Sequence, residues 1–464
     1  MDLHLDRHRL LLLLACLLWL LGLPGGWLLD DHSLRNMAWP EDVNWRLRPL
    51  TYLTFWLQHT LNPDAPWAWR FVNILLHTLS AQLCLSALRA WASREQALWA
   101  AMFFALHPWQ SEAVLYIFAR PILLMSIFAW LALLAWKHQK IALTYAALFA
   151  ALAAKEEAVA LPLVLAALSY VRGTWRKDAL PLLGQTVVAG MAIVATTLTT
   201  AQIAGSGAGT QAGIGPLQYL ATQGHSFFRY AWQLLLPYPI VFDWNPAPAP
   251  SWQAIWILLP LGFLFWQRRL PSLPWLLAGL AWLLPTSSIF PLADFAAGRR
   301  LYVAIPFVAL FLANPAIWNR GVFAVFTVST AFHAFIWSNP ESLWRFSYEN
   351  TQRLRPALEL SRLLPPPEAR AILESRRAEG EASPDFHTEL GRLALTERNA
   401  AEALRHFGKA LALDPTRASH YYNRGVALLA LGQNEAAVAD FQRALELNAN
   451  HKPAREALAK VRGK

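Results

Sequence analysis

The chain has 464 residues, of which 56% are hydrophobic and 15% are charged. An ordinary soluble domain carries about a quarter charged residues, so this composition excludes a wholly soluble protein, and also a disordered or collagen-like one. The net charge of +10 at pH 7 fits basic membrane loops, and no nucleic-acid partner is predicted. Cys16 and Cys84 both lie in apolar stretches, which excludes a disulfide framework and a cysteine metal cluster.

The charged residues are concentrated towards the C-terminal end of the chain. The 124 residues from Glu341 onward hold 19 of the 40 Lys and Arg residues and 16 of the 30 Asp and Glu residues. The sequence therefore predicts an all-α protein with a membrane domain over 1–340 and a water-soluble part after it. We expect that part to consist of a helical connector over 341–384 and a repeat domain over 385–464.

The first 340 residues contain eleven apolar stretches that are candidate membrane spans, since a spanning helix needs about 20 apolar residues. The first is predicted to be an uncleaved anchor, because acidic residues and no small-residue cleavage site follow it. The candidates are Arg9–Leu29, Trp69–Leu88, Gln96–Leu106, Ala113–Trp136, Ile141–Ala154, Val159–Val171, Leu180–Ala201, Trp252–Trp266, Trp275–Phe290, Leu301–Trp318 and Val322–Trp337.

Basic residues orient this predicted bundle. With the N-terminus in the cytoplasm, twelve basic and four acidic residues fall on the inner side, as the positive-inside rule requires. Leu217–Leu236 is also apolar enough to span, but counting it would place Arg268 and Arg269 outside, so we expect it in the outer interface. Eleven spans then place the C-terminal domain in the periplasm of a bacterial inner membrane or, as the alternative, in the lumen of the endoplasmic reticulum.

The C-terminal region repeats itself every 34 residues, a period that resembles the tetratricopeptide repeat. A small residue in the first helix of each unit lets the second helix approach, and an aromatic residue fills the space between them. We therefore predict two repeats over 385–464, a capping helix at Pro453–Val461, and a candidate degenerate third repeat at Tyr348–Arg377. The matching pairs are Gly391 with Gly425, Ala403 with Ala437, Phe407 with Phe441, Ala410 with Ala444, and Leu413 with Leu447.

Charged residues occur at several predicted outer turns. Asp30 and Asp31 follow the first span, Glu112 follows a His-Pro pair, and Arg120 lies inside a span, where a charge costs roughly 2.5–3.5 kcal/mol at the bilayer centre. We expect Asp30 or Asp31, Glu112 and Arg120 to face one cavity. Acids together with arginines suit the transfer of a group from a lipid phosphate to a hydroxyl. Two further outer turns carry the remaining charges, Lys155, Glu156 and Glu157, and Asp294, Arg299 and Arg300.

Short motifs in this order resemble the membrane O-mannosyltransferases that carry C-terminal tetratricopeptide repeats, within the class C (GT-C) glycosyltransferases. The chain departs from the family in Pro121-Ile122, where a polar or acidic residue usually follows the arginine, and in its shorter repeat array. The motifs are Asp30-Asp31 with Asn36, Arg48-Pro49-Leu50, Asn73 with His77, His107-Pro108, Glu112-Ala113-Val114, Arg120, Lys155-Glu156, Pro237, Asp243-Trp244 and Arg300-Leu301-Tyr302.

The resemblance implies a GT-C-like bundle and an inverting transfer of a sugar, mannose, from a polyprenyl-phosphate carrier to Ser or Thr of an acceptor protein outside the cytoplasm. It implies Asp30 or Asp31 as the general base, and Glu112 in the acceptor or donor site or as ligand of a divalent cation. No metal ligand set is otherwise assigned. The residues expected to bind substrate are Arg48, His107, Arg120, Lys155, Glu156 and Arg300.

Several alternatives stay open at this stage. The chain could be a non-catalytic membrane anchor that presents its repeats, whose groove would hold an extended peptide or a partner helix. It could also be a GT-C enzyme acting on a lipid or polysaccharide, or a transporter. Within the motifs, His107 could instead be a packed residue at a helix end. Asn73 and His77 lie four residues apart on one helix face, so we expect them to tie helices together.

Overall fold

A computed structural model of the chain describes residues 6–37, 46–201, 214–266, 270–288, 291–292, 294–312 and 320–463. The regular elements of these residues are helices, which confirms the all-α prediction. The chain divides into two compact units, Met1–Pro340 and Glu341–Lys464. Arg268 and Arg269, which entered the orientation argument, lie outside the described residues.

The first unit is built from helices of very different lengths, and short 3-10 helices occur at several of its turns. The α-helices, numbered in chain order, are α1 Arg7–Cys16, α2 Pro49–Leu61, α3 Pro66–Arg89, α4 Arg94–Leu106, α5 Gln110–Leu115, α6 Arg120–Lys137, α7 Ile141–Ala154, α8 Leu161–Val171, α9 Trp175–Ala201, α10 Pro216–Leu235, α11 Leu258–Trp266, α12 Leu273–Ala281, α13 Ile305–Phe311 and α14 Arg320–Ile336. The 3-10 helices include Leu17–Gly22, Leu29–Asn36, Ile117–Ala119, Glu156–Ala160, Ser251–Ile257 and Gly298–Leu301.

Among the described residues, three helices are long and apolar enough to cross a membrane, Pro66–Arg89, Ile117–Lys137 and Trp175–Thr199. A fourth is added if Gly321–Ile336 and Pro340–Thr351 together form one broken span. Other predicted spans form helices that are shorter than the roughly 20 residues that a bilayer requires. For example, α4 has 13 residues and α8 has 11. The bundle of about eleven spans stays a prediction.

The first predicted span, Arg9–Leu29, is divided in the structure. Its α-helix ends at Cys16 and continues as a 3-10 helix to Gly22, after which Pro24, Gly25 and Gly26 follow. Proline lacks a backbone donor and glycine weakens a helix, so a regular helix does not continue through this stretch. A Cβ at Gly25 would lie 2.9 Å from the Arg70 guanidinium carbon, so the break also lets the backbone approach a buried arginine.

Polar side chains join α3 to its neighbours in the core of the first unit. His77 Nδ1 lies 2.7 Å from the Tyr302 hydroxyl, and Ser80 Oγ lies 2.8 Å from Ser126 Oγ on α6. Asn73 donates to the carbonyls of Tyr116 and Ile117. The expectation that Asn73 and His77 tie helices together is therefore confirmed, and these buried groups are satisfied inside the protein, as an apolar surrounding requires.

The helices α9 and α10 of the first unit differ in composition and in the side chains that they expose. α9 presents large apolar side chains, with Leu180 78% and Leu198 63% exposed, as suits a helix that faces lipid. α10 is not among the described helices that are long and apolar enough to span. The interfacial position of Leu217–Leu236 stays a prediction. The Arg229 guanidinium of α10 stacks 4.0 Å from the centre of the Trp244 ring.

The second unit is a series of helix pairs. A Cβ at Gly391 would lie 2.5 Å from the Phe407 ring, and one at Gly425 would lie 2.6 Å from the Phe441 ring. These contacts confirm the prediction that a small residue admits an aromatic one in each 34-residue unit. The helices are α15 Pro340–Thr351, α16 Leu354–Ser361, α17 Pro366–Ser375, α18 Arg377–Gly380, α19 Pro384–Thr396, α20 Ala400–Leu413, α21 Ala418–Ala430, α22 Asn434–Leu447 and α23 Lys452–Arg462.

The two ends of the repeat series are covered by further helices. Ala369 and Leu373 of α17 are fully buried against Phe386 and Leu390, in one cluster with Leu358. At the other end, Leu458 and Val461 of α23 pack against Leu428 and Phe441. Each repeat helix thus buries its apolar face against a neighbour, which two isolated repeats could not do at both ends.

Candidate functional site

The two acidic residues of the first outer loop have different surroundings. Asp31 is fully buried, and its carboxylate accepts the backbone N–H groups of Phe118 at 2.8 Å and Leu28 at 3.2 Å. Asp30 is exposed, and its Oδ2 accepts the hydroxyl of Tyr116 at 3.2 Å. Asp31 therefore fastens the loop to the start of the Ile117–Ala119 turn, whereas Asp30 is accessible to solvent.

Burial also changes the acidity of Asp31. Loss of hydration raises the pKa of its carboxyl to about 7, although the nearby Arg70 guanidinium and the two backbone donors act in the opposite direction. The Asp31 side chain is fully buried. The accessible carboxylate of the pair is that of Asp30.

Glu112 is enclosed by the turn at Gly298–Leu301. Its carboxylate accepts the N–H groups of Gly298 at 2.6 Å and Arg299 at 3.3 Å, and it also pairs with the Arg299 guanidinium. Arg299 in turn lies 3.0 Å from an oxygen of Asp294. A Cβ at Gly298 would lie 2.5 Å from the Trp109 ring and 3.0 Å from Glu112 Oε2, so only glycine fits this close approach.

Tyr116 connects these two groups of residues. It follows α5, and its N–H donates to the Glu112 carbonyl at 3.3 Å, while its hydroxyl reaches Asp30. Arg299 and both aspartates act electrostatically on the Tyr116 phenol. Asp30 and Arg299, the partner of Glu112, thus both lie near the Tyr116 phenol. The sequence named Arg299 only as part of a charged turn, and it gave no signal for Tyr116.

Arg120 lies apart from this cluster, buried against α2 and α3. Its guanidinium donates to Asn73 Oδ1 at 2.9 Å and Gln58 Oε1 at 2.5 Å, and stacks 4.8 Å from the centre of the Phe55 ring. These neutral acceptors and rings take the place of the acid or phosphate that the sequence led us to expect. In this position, Arg120 holds three helices together.

A second charged cluster joins the segment before α2 to the turn after α7. Arg48 makes two hydrogen bonds to Glu156, at 2.8 and 2.6 Å, and Lys155 Nζ lies 2.6 Å from Glu157. Burial acts to raise the pKa of Glu156, but the charge and hydrogen bonds of Arg48 lower it to about 2. All three predicted substrate-binding residues of this region are thus engaged in two adjacent ion pairs. Arg48 and Glu156 remain 27% and 34% exposed.

The last two predicted substrate-binding residues make mainly internal contacts. Arg300 donates to the carbonyls of Phe295 at 3.1 Å, Thr286 at 3.2 Å and Asp294, so it shapes the turn that encloses Glu112. His107 is buried, and its Nδ1 accepts the N–H of Trp109 at 3.1 Å. These contacts fit the packing alternative for His107.

Arg70 is a buried arginine that the sequence reasoning did not select. It donates to the Leu115 carbonyl at 2.8 Å and to the carbonyls of Gly25 and Gly26, and its charge acts on Asp31. The signal was present, because Arg70 lies inside a predicted span, as Arg120 does. It joins the first loop to α5.

An apolar cavity of about 460 Å³ lies among α10, α11, α12 and α13. Two of its lining residues belong to the surroundings of Glu112. Tyr230 exchanges hydrogen bonds with the backbone of Ala297, and Leu301 ends the enclosing turn. The cavity is thus adjacent to the charged cluster. Other lining residues are Phe227, Leu234, Phe263, Leu276 and Leu280.

No metal site is evident in the part of the chain that the structure describes. No group of three or more His, Cys, Asp and Glu residues there is arranged to hold a metal ion. The acids of the cluster are instead neutralised by arginine and hydrogen bonds, since Glu112 pairs with Arg299 and Asp30 accepts the Tyr116 hydroxyl.

Comparisons with known proteins find similarity over limited lengths. The tetratricopeptide repeat family matches residues 418–451. The protein O-mannosyl-transferase TMTC3 of Mus musculus is 33% identical over 93 residues, which are 20% of this chain and 10% of that protein. A tetratricopeptide repeat and J domain-containing co-chaperone DNJ1 of Cryptococcus neoformans is 37% identical over 70 residues, 15% of this chain and 13% of that one.

The human TMTC3 gives a similar result, with 32% identity over 93 residues, 20% of this chain and 10% of that protein. The chain thus matches about a tenth of the length of these curated transferases. A crystal structure of the APC/C hetero-tetramer Cut9–Hcn1 covers 90% of this chain and 92% of that one, but at 16% identity and a TM-score of 0.26 it carries no argument. The chain therefore contains a tetratricopeptide repeat and has partial similarity to named O-mannosyl-transferases.

Proposed function

We propose that the protein is a polyprenyl-phosphate-dependent glycosyltransferase of the GT-C type, which transfers mannose with inversion to Ser or Thr of a protein on the non-cytoplasmic side of a membrane. The observation that carries the proposal is the meeting of Asp30, Tyr116, Glu112 and Arg299 beside an apolar cavity. The partial similarity to O-mannosyl-transferases and the repeat unit support it.

In this proposal, Asp30 is the general base. The acceptor hydroxyl oxygen attacks the anomeric carbon of the donor, and its proton passes to the Asp30 carboxylate. The bond between the anomeric carbon and the phosphate oxygen breaks, and its electron pair leaves with the polyprenyl phosphate. We choose Asp30 over Asp31 because Asp30 is exposed, whereas Asp31 is buried with both oxygens hydrogen-bonded.

Arg299 is assigned to the departing phosphate. A cation held in place before the reaction stabilises developing negative charge without having to reorganise. Glu112 and Asp294 fix the Arg299 guanidinium from two sides, so its position is set by the turn. Arg48, Lys155 and Glu156 would form part of the cavity rim, with an incoming acceptor or phosphate competing for their ion pairs.

The apolar cavity is assigned to the isoprenoid chain of the donor. Its walls are aromatic and aliphatic, as suits a hydrocarbon ligand, and it adjoins the turn that carries Arg299. A donor lying in this way would place its tail among α10 to α13 and its phosphate near the charged cluster. The repeat domain would bind the acceptor or a partner protein.

Transfer by the purified full-length chain tests the proposal. In lipid vesicles containing radiolabelled polyprenyl-phosphate mannose and a Ser/Thr-rich peptide, the wild type should label the peptide. Asp30→Asn should lower the rate at least 100-fold, because the acceptor proton loses its base. Asp64→Asn is the matched control in the same outer loop. It removes an exposed carboxylate paired with Arg35 and should retain the wild-type rate.

A membrane-anchored scaffold is the second candidate. It is favoured by one observation, that the co-chaperone matches over a length similar to that of the transferases, so similarity of this extent does not separate an enzyme from a repeat protein. Wild-type protein that labels no acceptor, and whose deletion leaves envelope proteins and lipids unchanged in mass, would support the scaffold. Sugar loss from lipid or polysaccharide alone would support a transferase with that acceptor.

A further inference from the structure

Tyr116 is a buried residue whose hydroxyl group binds Asp30. Its side chain is 4% exposed, and its hydroxyl donates to Asp30 Oδ2 at 3.2 Å while accepting the Asp30 N–H at 3.3 Å. Its ring lies 5.4 Å from that of Phe242. One phenol group thus fixes both the backbone and the carboxylate of Asp30.

This contact leaves the two carboxylate oxygens of Asp30 unequal. Oδ2 accepts the Tyr116 hydroxyl, whereas Oδ1 has no hydrogen-bond partner among the residues that the structure describes. A carboxylate fixed through one oxygen keeps the other free for an acceptor proton.

We infer that Tyr116 is a positioning residue for the proposed general base: its hydroxyl fixes Oδ2 of Asp30 and leaves Oδ1 for the acceptor hydroxyl. The inference rests on the proposed function and adds to it a residue that touches neither donor nor acceptor. Asp30 alone, on an exposed turn, could rotate freely. The buried phenol supplies the rigid support that a general base requires.

Other charged groups near Asp30 are already committed elsewhere. Asp31 binds two backbone N–H groups, Arg70 binds three carbonyls, and Arg120 binds side-chain and backbone oxygens of α2 and α3. Arg299 is paired with Glu112 and Asp294. Among the residues that the structure describes, Tyr116 donates to the Asp30 carboxylate.

The Tyr116→Phe variant isolates the hydroxyl, because phenylalanine keeps the ring contact with Phe242. A carboxylate that loses a donor holds its proton to a higher pH. We expect the acidic limb of the pH–rate profile to move up by about one pH unit. On the acidic limb, well below its midpoint, the rate should fall about tenfold through kcat, with KM little changed, and it should recover at higher pH.

Tyr145→Phe is the matched control. It also removes a phenol that makes one hydrogen bond, from Tyr145 to the Pro181 carbonyl at 3.0 Å, but on α7, away from the charged cluster. Its pH–rate profile should coincide with that of the wild type. A purely structural loss in Tyr116→Phe would lower the rate equally at all pH values and leave the acidic limb in place.

A second measurement needs no turnover. Carbodiimide reacts with protonated carboxyls, so labelling of Asp30 against pH, read by peptide mass spectrometry, reports its ionisation directly. The labelling midpoint should move up in Tyr116→Phe and stay unchanged in Tyr145→Phe. An unmoved midpoint overturns the inference, whether or not the wild type is active. A moved midpoint in an inactive wild type would overturn the proposed function and leave the coupling of Tyr116 to Asp30 standing.

Discussion

Asp30 and Asp31 show how far one peptide bond can separate two environments. The 3-10 turn at Leu29–Asn36 begins at a residue with a φ of +42°, and it directs one carboxylate outward and the next into the protein. Asp31 is buried away from water, and its carboxylate accepts hydrogen bonds from two backbone N–H groups. It therefore behaves as a structural residue whose proton matters for stability.

The pH dependence of stability should reveal Asp31. An exposed aspartate ionises near 3.8 and Asp31 near 7, so between these values the folded state binds more protons than the unfolded state. Stability of the first unit should fall as pH rises from about 4 to 7, by several degrees in melting temperature. Asp31→Asn should remove this slope. Thermal unfolding in detergent measures it, and a melting temperature that rises over that range would contradict the assignment.

The arginines show what the sequence could and could not reveal at this scale. Acids at separate outer turns predicted a shared site, and that site stays a prediction; the structure shows Asp30 bound to the Tyr116 hydroxyl and Glu112 paired with Arg299. Arg299 and Arg300 are indistinguishable by sequence, and only the fold shows that the first faces Glu112 and the second faces carbonyls. The sequence did not indicate a functional role for Tyr116, because an aromatic residue in an apolar stretch ordinarily indicates packing.

At the scale of single elements, the Gly298–Leu301 turn has no room for a larger residue at Gly298. Gly298→Ala would push a Cβ onto the Trp109 ring and towards Glu112. We expect a loss of about 1–3 kcal/mol of stability and a fall of tenfold or more in the proposed transfer, since the N–H donors move away from Glu112. Gly190→Ala on α9 is the control, because a Cβ there has no heavy atom within 4 Å.

Thermal unfolding and peptide labelling would be measured on both glycine variants. If Gly298→Ala behaved like Gly190→Ala in both assays, the enclosure of Glu112 by this turn would not matter. If Gly298→Ala lost stability but kept the wild-type rate of transfer, the turn would matter for folding and not for the proposed reaction.

The first repeat contains a pair of histidines that should make it sensitive to acid. His387 Nδ1 lies 3.3 Å from His406 Nδ1, and both side chains are almost fully buried. Burial, together with nearby Arg405, lowers the pKa of His406 to about 4, and burial also lowers the pKa of His387. The unfolded chain therefore binds protons first as pH falls.

Stability from this pair is complete above pH 6.5 and is lost between about 6.5 and 4, on the order of 1–2 kcal/mol. Hydrogen exchange of α19 and α20, corrected for intrinsic rates, should accelerate over that window. His406→Gln should flatten the response, whereas His138→Gln, at an exposed turn of the first unit, should not. Exchange that does not depend on pH in the wild type would exclude the pair as its cause.

The repeat helices were the easiest elements to predict. A fixed period of 34 residues locates each helix, and Gly391 and Gly425 meet the rings expected of them. The membrane helices were harder, because apolar composition gives no information on where a helix stops. Pro24 with its two glycines ends the first apolar helix early, and α4 and α8 are too short to cross a bilayer regularly.

For the whole molecule, the decisive question is on which side of the membrane the repeat domain lies. Both native cysteines are fully buried, so an impermeant maleimide should find no target in the wild type. Glu446→Cys, whose parent side chain is 62% exposed, should be labelled from the non-cytoplasmic side of sealed vesicles. Gln139→Cys, between α6 and α7, should be labelled only after permeabilisation. The opposite pattern would place the repeats in the cytoplasm and remove the basis for transfer outside it.

The enclosure of Glu112 by a turn 186 residues further along has a consequence for synthesis of the protein. At ordinary elongation rates, roughly 10–40 seconds pass between translation of the two segments. During that interval the glutamate has neither its amide donors nor its arginine, and an unpaired anion is poorly tolerated in lipid. A chain whose synthesis stops before the late turn therefore lacks the amide donors and the arginine that enclose Glu112.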